Sequence, residues 1–448
     1  MVQNTDLLIV GAGAAGLWAA VAAGRAGLRC LLLERRHRPG LKLLLCGNNR
    51  CNLSHVGSAA ELQADYGEPV GSFLAPALRL LPPTALRERF AACGLPSKVI
   101  NERIYPASEK ADDVLHCFTD QLRDLEVPLL LNCPARKITP LAKGEGFELQ
   151  CGKLTLQTRY LLLATGGVSY PKTGSVGDGQ RLAAELQHRL EPFRPGLAGI
   201  EVSDAWLCPP RNTEVSIPLV RLTILRNGQP LAITEGNLLA DRTAVRGSAF
   251  LDATRIIGRQ QLNEYGLELD LFPEQAAPEL AQMLERGWQK TKQAAATLNA
   301  CGLEHFLAQG LAAKFARLFA GGSFSSELSQ ALKSISIQVR GIRPLKEAIV
   351  TIGGVSLADI KPESMESRLQ PGLFFAGEVM DIDGPTGGYN LHAAFATAEL
   401  AINSICQRLA PAAVRTKAAA APARRPAGKS SKDKKQAWGK DFWQKRPR

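Results

Sequence analysis

The chain has 448 residues, 45% hydrophobic and 21% charged, which is an ordinary balance for a soluble protein and too long for one simple core, so two or three domains are expected. No run of eighteen apolar residues marks a membrane span, and Met1 to Asp6 lack the basic-then-apolar layout of a signal peptide, so a cytoplasmic protein with no membrane partner is expected. The net charge of +12 is uneven: residues 411–448 hold twelve Lys or Arg and two Asp, a net +10, which leaves +2 on the preceding 410 residues. The ten cysteines form no CxxC pair and no Cys/His cluster with zinc spacing, so no metal site is expected and most should be small buried side chains.

In chain order, Asp6 to Val10 reads as an apolar strand, followed by the turn Gly11-Ala12-Gly13-Ala14-Ala15-Gly16 and a helical run from Leu17 to about Ala26. A second strand, Arg29 to Leu33, ends in Glu34. This is a dinucleotide fingerprint in its strand–turn–helix context. Gly11 permits the tight turn, Gly13 lets backbone approach a pyrophosphate, and Gly16 lets helix and strand pack closely. Ala14 and Ala15 in the turn are further cofactor-binding candidates, and the N-terminus of the helix that follows supplies free N–H groups and positive potential for phosphates. Glu34 accepts ribose hydroxyls, which favours NAD or the adenosine half of FAD over NADP.

Residues 36–60 read as a loop and helix lying along the cofactor, and 70–135 as short helices with an ordered corner at Tyr105-Pro106. Strand signals at 136–140, 147–150 and 154–163 lead into a second glycine turn, Ala164-Thr165-Gly166-Gly167, and then a helix from Asp178 to Leu190. From about 192 to 345 the pattern changes, with strands at Val215 to Leu225 and Ile335 to Gly341 and a helical stretch over 275–332 broken near Gly302, Gly310 and Gly321-Gly322. The expected organisation is therefore a first part of a cofactor-binding domain (1–191), an inserted domain (192–345), a second part (346–409) and a disordered basic tail (410–448). Leu373 to Ala376 reads as a buried strand running into Gly377-Glu378, then Asp381, then Gly387-Gly388-Tyr389-Asn390 and an alanine-rich helix over about 391–405. Three strand-to-glycine turns fit one large cofactor gripped by a split domain, and a helix N-terminus at the far end suits the anionic reduced ring of a flavin. FAD is the expected cofactor.

Four blocks carry a family resemblance: 11–16; Gly47-Asn48-Asn49-Arg50-Cys51-Asn52-Leu53-Ser54; 164–171 with Thr173-Gly174 and Gly177-Asp178-Gly179; and 350–391. Together they resemble the single-chain bacterial NAD(P)/FAD-dependent oxidoreductases, also called aminoacetone-oxidase-like flavoproteins. The resemblance implies an α/β fold: a split Rossmann-type, flavin-reductase-like FAD domain with an inserted mixed α+β domain. For at least one branch it implies reduction of a uridine in large-subunit ribosomal RNA to dihydrouridine. The chain departs from the family at Cys46, where a small residue is usual, and at His392, where Gln is frequent. It departs again over Leu239 to Ala249, which lacks the family's histidine and proline.

Cys51 is the first candidate for chemistry: hydride addition to C6 of a uracil leaves an enolate that needs a proton at C5, and a thiol near the flavin can supply it. The alternative is a thiol that packs against the flavin or caps a helix. Arg50 suits pyrimidine carbonyls or a phosphate, Lys42 cofactor phosphate or substrate, and Tyr170 cover for the flavin. His392 is a substrate contact or a structural histidine. Asn49 joins the cofactor set, and Glu378 and Asp381 are expected to position ribityl hydroxyls and backbone. Cys46 and Cys51 also have the spacing of a flavin-linked disulfide pair, but the flanking residues and the lack of a second GxGxxG argue against that reading. With no second dinucleotide domain, NAD(P)H is expected to visit transiently. In the tail, Lys434, Lys435, Trp438 and Trp443 combine phosphate-seeking charge with stacking rings, which suits RNA; a solubilising terminus is the alternative. Three functions stay open: a ribosomal RNA uridine reductase, a small-molecule oxidoreductase or amine oxidase with an incidental tail, and a non-catalytic flavin-dependent RNA-binding factor.

Overall fold

Leu7, Leu8, Ile9 and Val10 are apolar without alternation, the pattern of a strand covered on both faces. A computed structural model describes residues 3–258, 264–320 and 324–409, and in it the strand Gln3–Val10 lies at the centre of a seven-stranded sheet. It pairs in parallel with Cys30–Leu33 on one side and Leu154–Leu163 on the other, with Val10 opposite both Leu33 and Leu163. The strand Leu154–Leu163 changes partners along its length. Its first half pairs antiparallel with Phe147–Cys151, and Leu161 to Leu163 pair in parallel with Leu373–Phe375. A strand from the far end of the chain thus completes the sheet begun at the N-terminus.

Two helices cover this sheet, Ala14–Arg25 and Tyr389–Leu409. Both bury alanines (Ala15, Ala19 and Ala20; Ala393, Ala396 and Ala401), and such small side chains let helices approach closely. Trp18 fills the remaining space against Phe90, Phe118 and Phe395. Its ring N–H donates to Glu399 at 2.8 Å, and Glu399 also pairs with Arg89.

A second hydrophobic core runs from Ile200 to Ile337 around another seven-stranded sheet, with the helices Ala277–Thr291, His305–Lys314 and Phe324–Lys333 packed into it. A two-stranded antiparallel ladder of Leu190–Gly196 with Val350–Val355 joins the two bodies. The boundary expected at 192 falls inside the first of these strands, and that at 345 opens the short turn Leu345–Glu347.

Two local expectations are corrected. The helix expected over 178–190 ends at Glu185, because Gln187 takes a left-handed conformation (φ 71°) and Leu190 onward pairs with 350–355. Gly310 breaks nothing: it lies inside His305–Lys314, where a Cβ would sit 2.5 Å from Trp206 Cβ, so the glycine serves close packing. The expected break at Gly321-Gly322 and the whole tail lie outside the described residues. Cys133 and Cys151 are joined, their Cα atoms 5.6 Å apart at the open end of a hairpin, whereas Cys46 and Cys51 are both free. Among the described residues no helix is long and apolar enough to cross a membrane.

The helix Ser248–Ile257 of the inserted body clamps the loop before the closing helix. Arg255 Nε donates to Asp383 at 2.7 Å and Nη2 reaches the Tyr66 carbonyl, while Asp252 accepts from the Thr386 backbone and hydroxyl at 2.6 and 2.8 Å. Asp383 is fully buried, so Arg255→Met takes a guanidinium donor away from an interior carboxylate and from the Tyr66 carbonyl. We expect urea unfolding to show a loss of about 3 kcal/mol, against less than about 1 kcal/mol for Arg181→Met at the exposed Arg181–Glu185 pair.

Candidate functional site

The parallel register brings the C-terminal ends of three strands side by side, so their glycine turns share one cavity of about 820 Å³. Gly11, with φ 103°, touches the neighbouring turn: a Cβ there would lie 2.5 Å from the Ala164 carbonyl oxygen. Gly16 does not face the cavity; its missing Cβ makes room for the Gly11 carbonyl. Gly13 is open toward the cavity, with nothing within 4 Å of a built Cβ. The helix it precedes has no side-chain cap, so the first-turn N–H groups at Ala14 and Ala15 are left for an anionic ligand. Glu34 stands at this end, its two oxygens accepting the Ala12 and Arg36 N–H groups at 2.9 and 2.8 Å. Burial raises its pKa above the usual carboxylate value.

The other pole is the turn before Tyr389–Leu409. Gly377, Gly387 and Gly388 all have positive φ, and a Cβ on Gly388 would meet the Ser54 backbone at 2.6 Å. Asn390 fixes the loop by bonding both polar groups of the Gly384 backbone at 2.9 Å, and with Gly388 and Leu391 it lines the cavity. Ala164, Thr165, Gly166, Gly377 and Glu378 form the stretch between the two poles. Lys42 reaches Glu378 at 2.6 Å and Ser169 Oγ at 2.7 Å, and Glu378 accepts the Thr351 N–H at 2.7 Å, so this pair is a braced part of the wall. Asn52 Oδ1 and Thr165 Oγ1, on residues that line the cavity, are buried with no hydrogen-bond partner among the described residues. Orphaned polar atoms, a glycine cradle and an uncapped helix start fit an extended dinucleotide.

Besides Gly16, three expected cofactor residues lie outside the lining. Asn49 is exposed, and its carbonyl accepts the Ala111 N–H. Asp381 holds the Gly353 N–H at 2.9 Å. Tyr389 is buried, stacked on His55, with its hydroxyl on Asp65 at 2.6 Å. The two residues expected to do chemistry are also behind the wall. Cys51 is fully buried, and burial pushes its thiol well above the ordinary value. His392 is fully buried between Ser54 Oγ (2.7 Å) and the Leu81 carbonyl (2.9 Å), and burial lowers its pKa to about 4, so it is neutral near pH 7. Both therefore sit in packing environments.

Arg50, Tyr170 and Cys46 do line the cavity. Arg50 is stacked 4.4 Å from the Tyr105 ring and paired with Glu109. Burial lifts both Tyr170, at φ 51°, and Cys46, the thiol to about 11, and the nearby Cys46 adds to the rise at Tyr170, so both keep their protons at neutral pH. The inserted body adds Asn237, Arg246 and Ser248, and the small sheet around 97–106 adds Arg103. None of these four was assigned from sequence, where 239–249 stood only as a departure from the family. Lys434, Lys435, Trp438 and Trp443 lie outside the described residues.

Two measurements check this arrangement. Gly13→Ala puts a methyl into the open cradle without a clash in the protein, so flavin absorbance of the purified protein should fall, with affinity down about tenfold or more, while the apoprotein melts unchanged. For His392 the folded pKa is depressed, so the unfolded chain binds the proton more readily. Stability should then be lost as pH falls from about 6.5 to about 4, by about 2–3 kcal/mol, and His392→Gln should remove that part of the acid sensitivity in urea unfolding at pH 7 and 4.5.

The chain is similar to several known proteins. A 3-dehydro-bile acid delta(4,6)-reductase of Clostridium scindens is 27% identical over 411 residues, covering 89% of this chain and 98% of that one. A ribosomal RNA dihydrouridine synthase of Escherichia coli is 27% identical over 414 residues, covering 88% and 96%. Among solved structures, a 3-ketosteroid delta1-dehydrogenase from Sterolibacterium denitrificans is 14% identical, covers 91% of this chain and 100% of that one, and superposes with a TM-score of 0.52, a likeness of fold. A family model described as the HI0933-like protein Rossmann domain matches residues 5–404, nearly everything from the first strand to the closing helix. The chain thus belongs to the HI0933-like Rossmann family and is an FAD-dependent oxidoreductase.

Proposed function

We propose that this chain reduces a carbon–carbon double bond conjugated with a carbonyl, and that its substrate is a uridine of large-subunit ribosomal RNA, with NAD(P)H as the transient reductant. The observation that carries this reading is the continuity of the cavity, which runs from the dinucleotide cradle at Glu34 to a polar wall supplied by Arg103, Arg246 and Ser248. A cofactor and a second molecule beside it can share that volume. The two curated relatives support the bond type: uridine carries its double bond next to a carbonyl, and the name of the bile acid reductase places double bonds beside a 3-oxo group. FAD, when reduced, supplies hydride to the carbon β to the carbonyl.

The chain's own residues then have three tasks. Arg50 and Arg103 hold the carbonyl side of the substrate and the charge that develops there. The wall formed by Cys46 and Tyr170 keeps a proton available for the α carbon, a role the sequence assigned to Cys51. The basic tail, with twelve Lys or Arg in residues 411–448, adds sequence-independent affinity for RNA by counterion release. The equal identity of the bile acid reductase favours a second reading, in which a free cyclic enone fills the same volume and the tail is incidental.

Mass spectrometry of nuclease-digested ribosomal RNA from a strain lacking the gene separates the two. Loss of one dihydrouridine, restored by the wild type, is the expected result; an unchanged profile in a strain that carries the modification overturns the RNA substrate. In the same complementation, Cys51→Ala should restore the modification and the Cys46→Ala/Tyr170→Phe double variant should not, although it retains FAD.

A further inference from the structure

Outside the FAD site, two thiols meet where the helices Pro83–Ala92 and Ala111–Asp124 flank the end of Ala14–Arg25. Cys93 is the C-cap of the first helix and Cys117 lies in the second; both are half-buried and free. Neither lines the FAD cavity, which lies at the opposite end of the twelve-residue helix Ala14–Arg25, about 18 Å away along its axis. Arg25 Nη2 donates to Cys93 Sγ at 2.8 Å, and the Arg89 guanidinium adds a second positive charge. The Cys117 thiol lies near enough to the Cys93 sulfur to act on its proton, and Cys93 Sγ donates to the Arg89 carbonyl at 3.0 Å. Gln121 ties the group together: its Nε2 donates to Cys117 Sγ at 3.3 Å, and its Oε1 lies 2.5 Å from Arg25 Nη2 and 3.2 Å from Cys93 Sγ.

This is an asymmetric pair. The neighbouring Cys117 thiol and the two arginines bring the Cys93 thiol down to about 6, while the same proximity and burial hold Cys117 protonated. The crevice at Cys93, walled by Trp18, Phe90 and Phe118, has a volume of about 20 Å³. It admits a water-sized molecule and not a bulky disulfide.

We propose that Cys93 and Cys117 are a redox-active dithiol whose oxidant is hydrogen peroxide, with Cys93 as the attacking sulfur and Cys117 as the resolving one. In the first step the Cys93 thiolate attacks one peroxide oxygen, the O–O bond breaks, and hydroxide leaves. Sulfur is oxidised to the sulfenic acid, and the Arg25 guanidinium faces the negative charge throughout. In the second step the Cys117 sulfur attacks Cys93, the S–O bond breaks, and the leaving hydroxide takes the Cys117 proton to form water. One peroxide has then become two oxygens at the level of water, and the thiol pair has lost two electrons to a disulfide that a thiol reductant reverses.

The test uses the full-length, FAD-loaded protein, mildly reduced, desalted, treated at pH 7 with equimolar peroxide and quenched with iodoacetamide. Trypsin places Cys93 in peptide 90–98 and Cys117 in peptide 111–123. Without reductant these should be found joined. Cys117→Ser should leave Cys93 as a sulfenic acid trapped by dimedone, and Cys93→Ser should abolish both products. In the untreated wild type, iodoacetamide should modify Cys93 about tenfold faster than the partly exposed Cys208, and Arg25→Met should remove that advantage, with flavin absorbance reporting that the fold is retained. Peptides that stay separate while other cysteines oxidise, or a Cys93 no faster than Cys208, overturn the proposal.

Discussion

The parallel pairing of Gln3–Val10, Leu154–Leu163 and Leu373–Phe375 governs the site. Parallel strands end at the same edge, so each turn that follows one opens on the same side of the sheet. Because Val10 is level with Leu163, and Leu163 with Phe375, the turns at Gly11, Ala164 and Gly377 lie next to each other rather than staggered. Two helices then start from that edge, each with an uncapped or glycine-led first turn, and their partial positive charges converge on one volume. A dinucleotide with a phosphate pair near one end and an electron-accepting ring at the other is the ligand shape this satisfies.

The inserted body is tied to that edge by charge rather than by sheet continuity. Arg255 and Asp252 project from one helix onto the loop 383–386, and the ladder Leu190–Gly196 with Val350–Val355 carries the chain out and back. A buried ion pair is costly to assemble, but once formed it is specific in geometry, because either partner alone would be a desolvated charge. That specificity sets the distance between the insert's polar residues and the glycine turns, and hence the size of the cavity between them.

Much of this was legible locally. The strand–glycine–helix units at 6–26 and 373–405 have short-range signatures: an apolar run, glycines at φ-sensitive positions and an alanine-rich helix, and the structure keeps them within a few residues. Glu34, Lys42 and Glu378 could be placed at the cavity for the same reason. Helix ends and the roles of isolated glycines were less legible. Gln187 ends a helix because strand 190–196 has a partner 160 residues on, and Gly310 is glycine because Trp206 lies against it.

Sequence alone therefore determined the cofactor class, because FAD is recognised by backbone turns whose residue types are dictated over a few positions. Which side chains face the remaining space was decided only by the tertiary structure. Cys51 and Cys46 are five residues apart, yet one is sealed behind the wall and the other lines it. The turn over 47–52 holds several residues in left-handed conformations, among them Asn48, Asn49 and Cys51, so no helical or strand period tells which way a side chain points. His392 likewise follows a glycine turn in sequence but rotates into the core between Ser54 and Leu81, partners more than three hundred residues away. Direction at such positions is a property of packing, and packing depends on segments that local sequence does not contain.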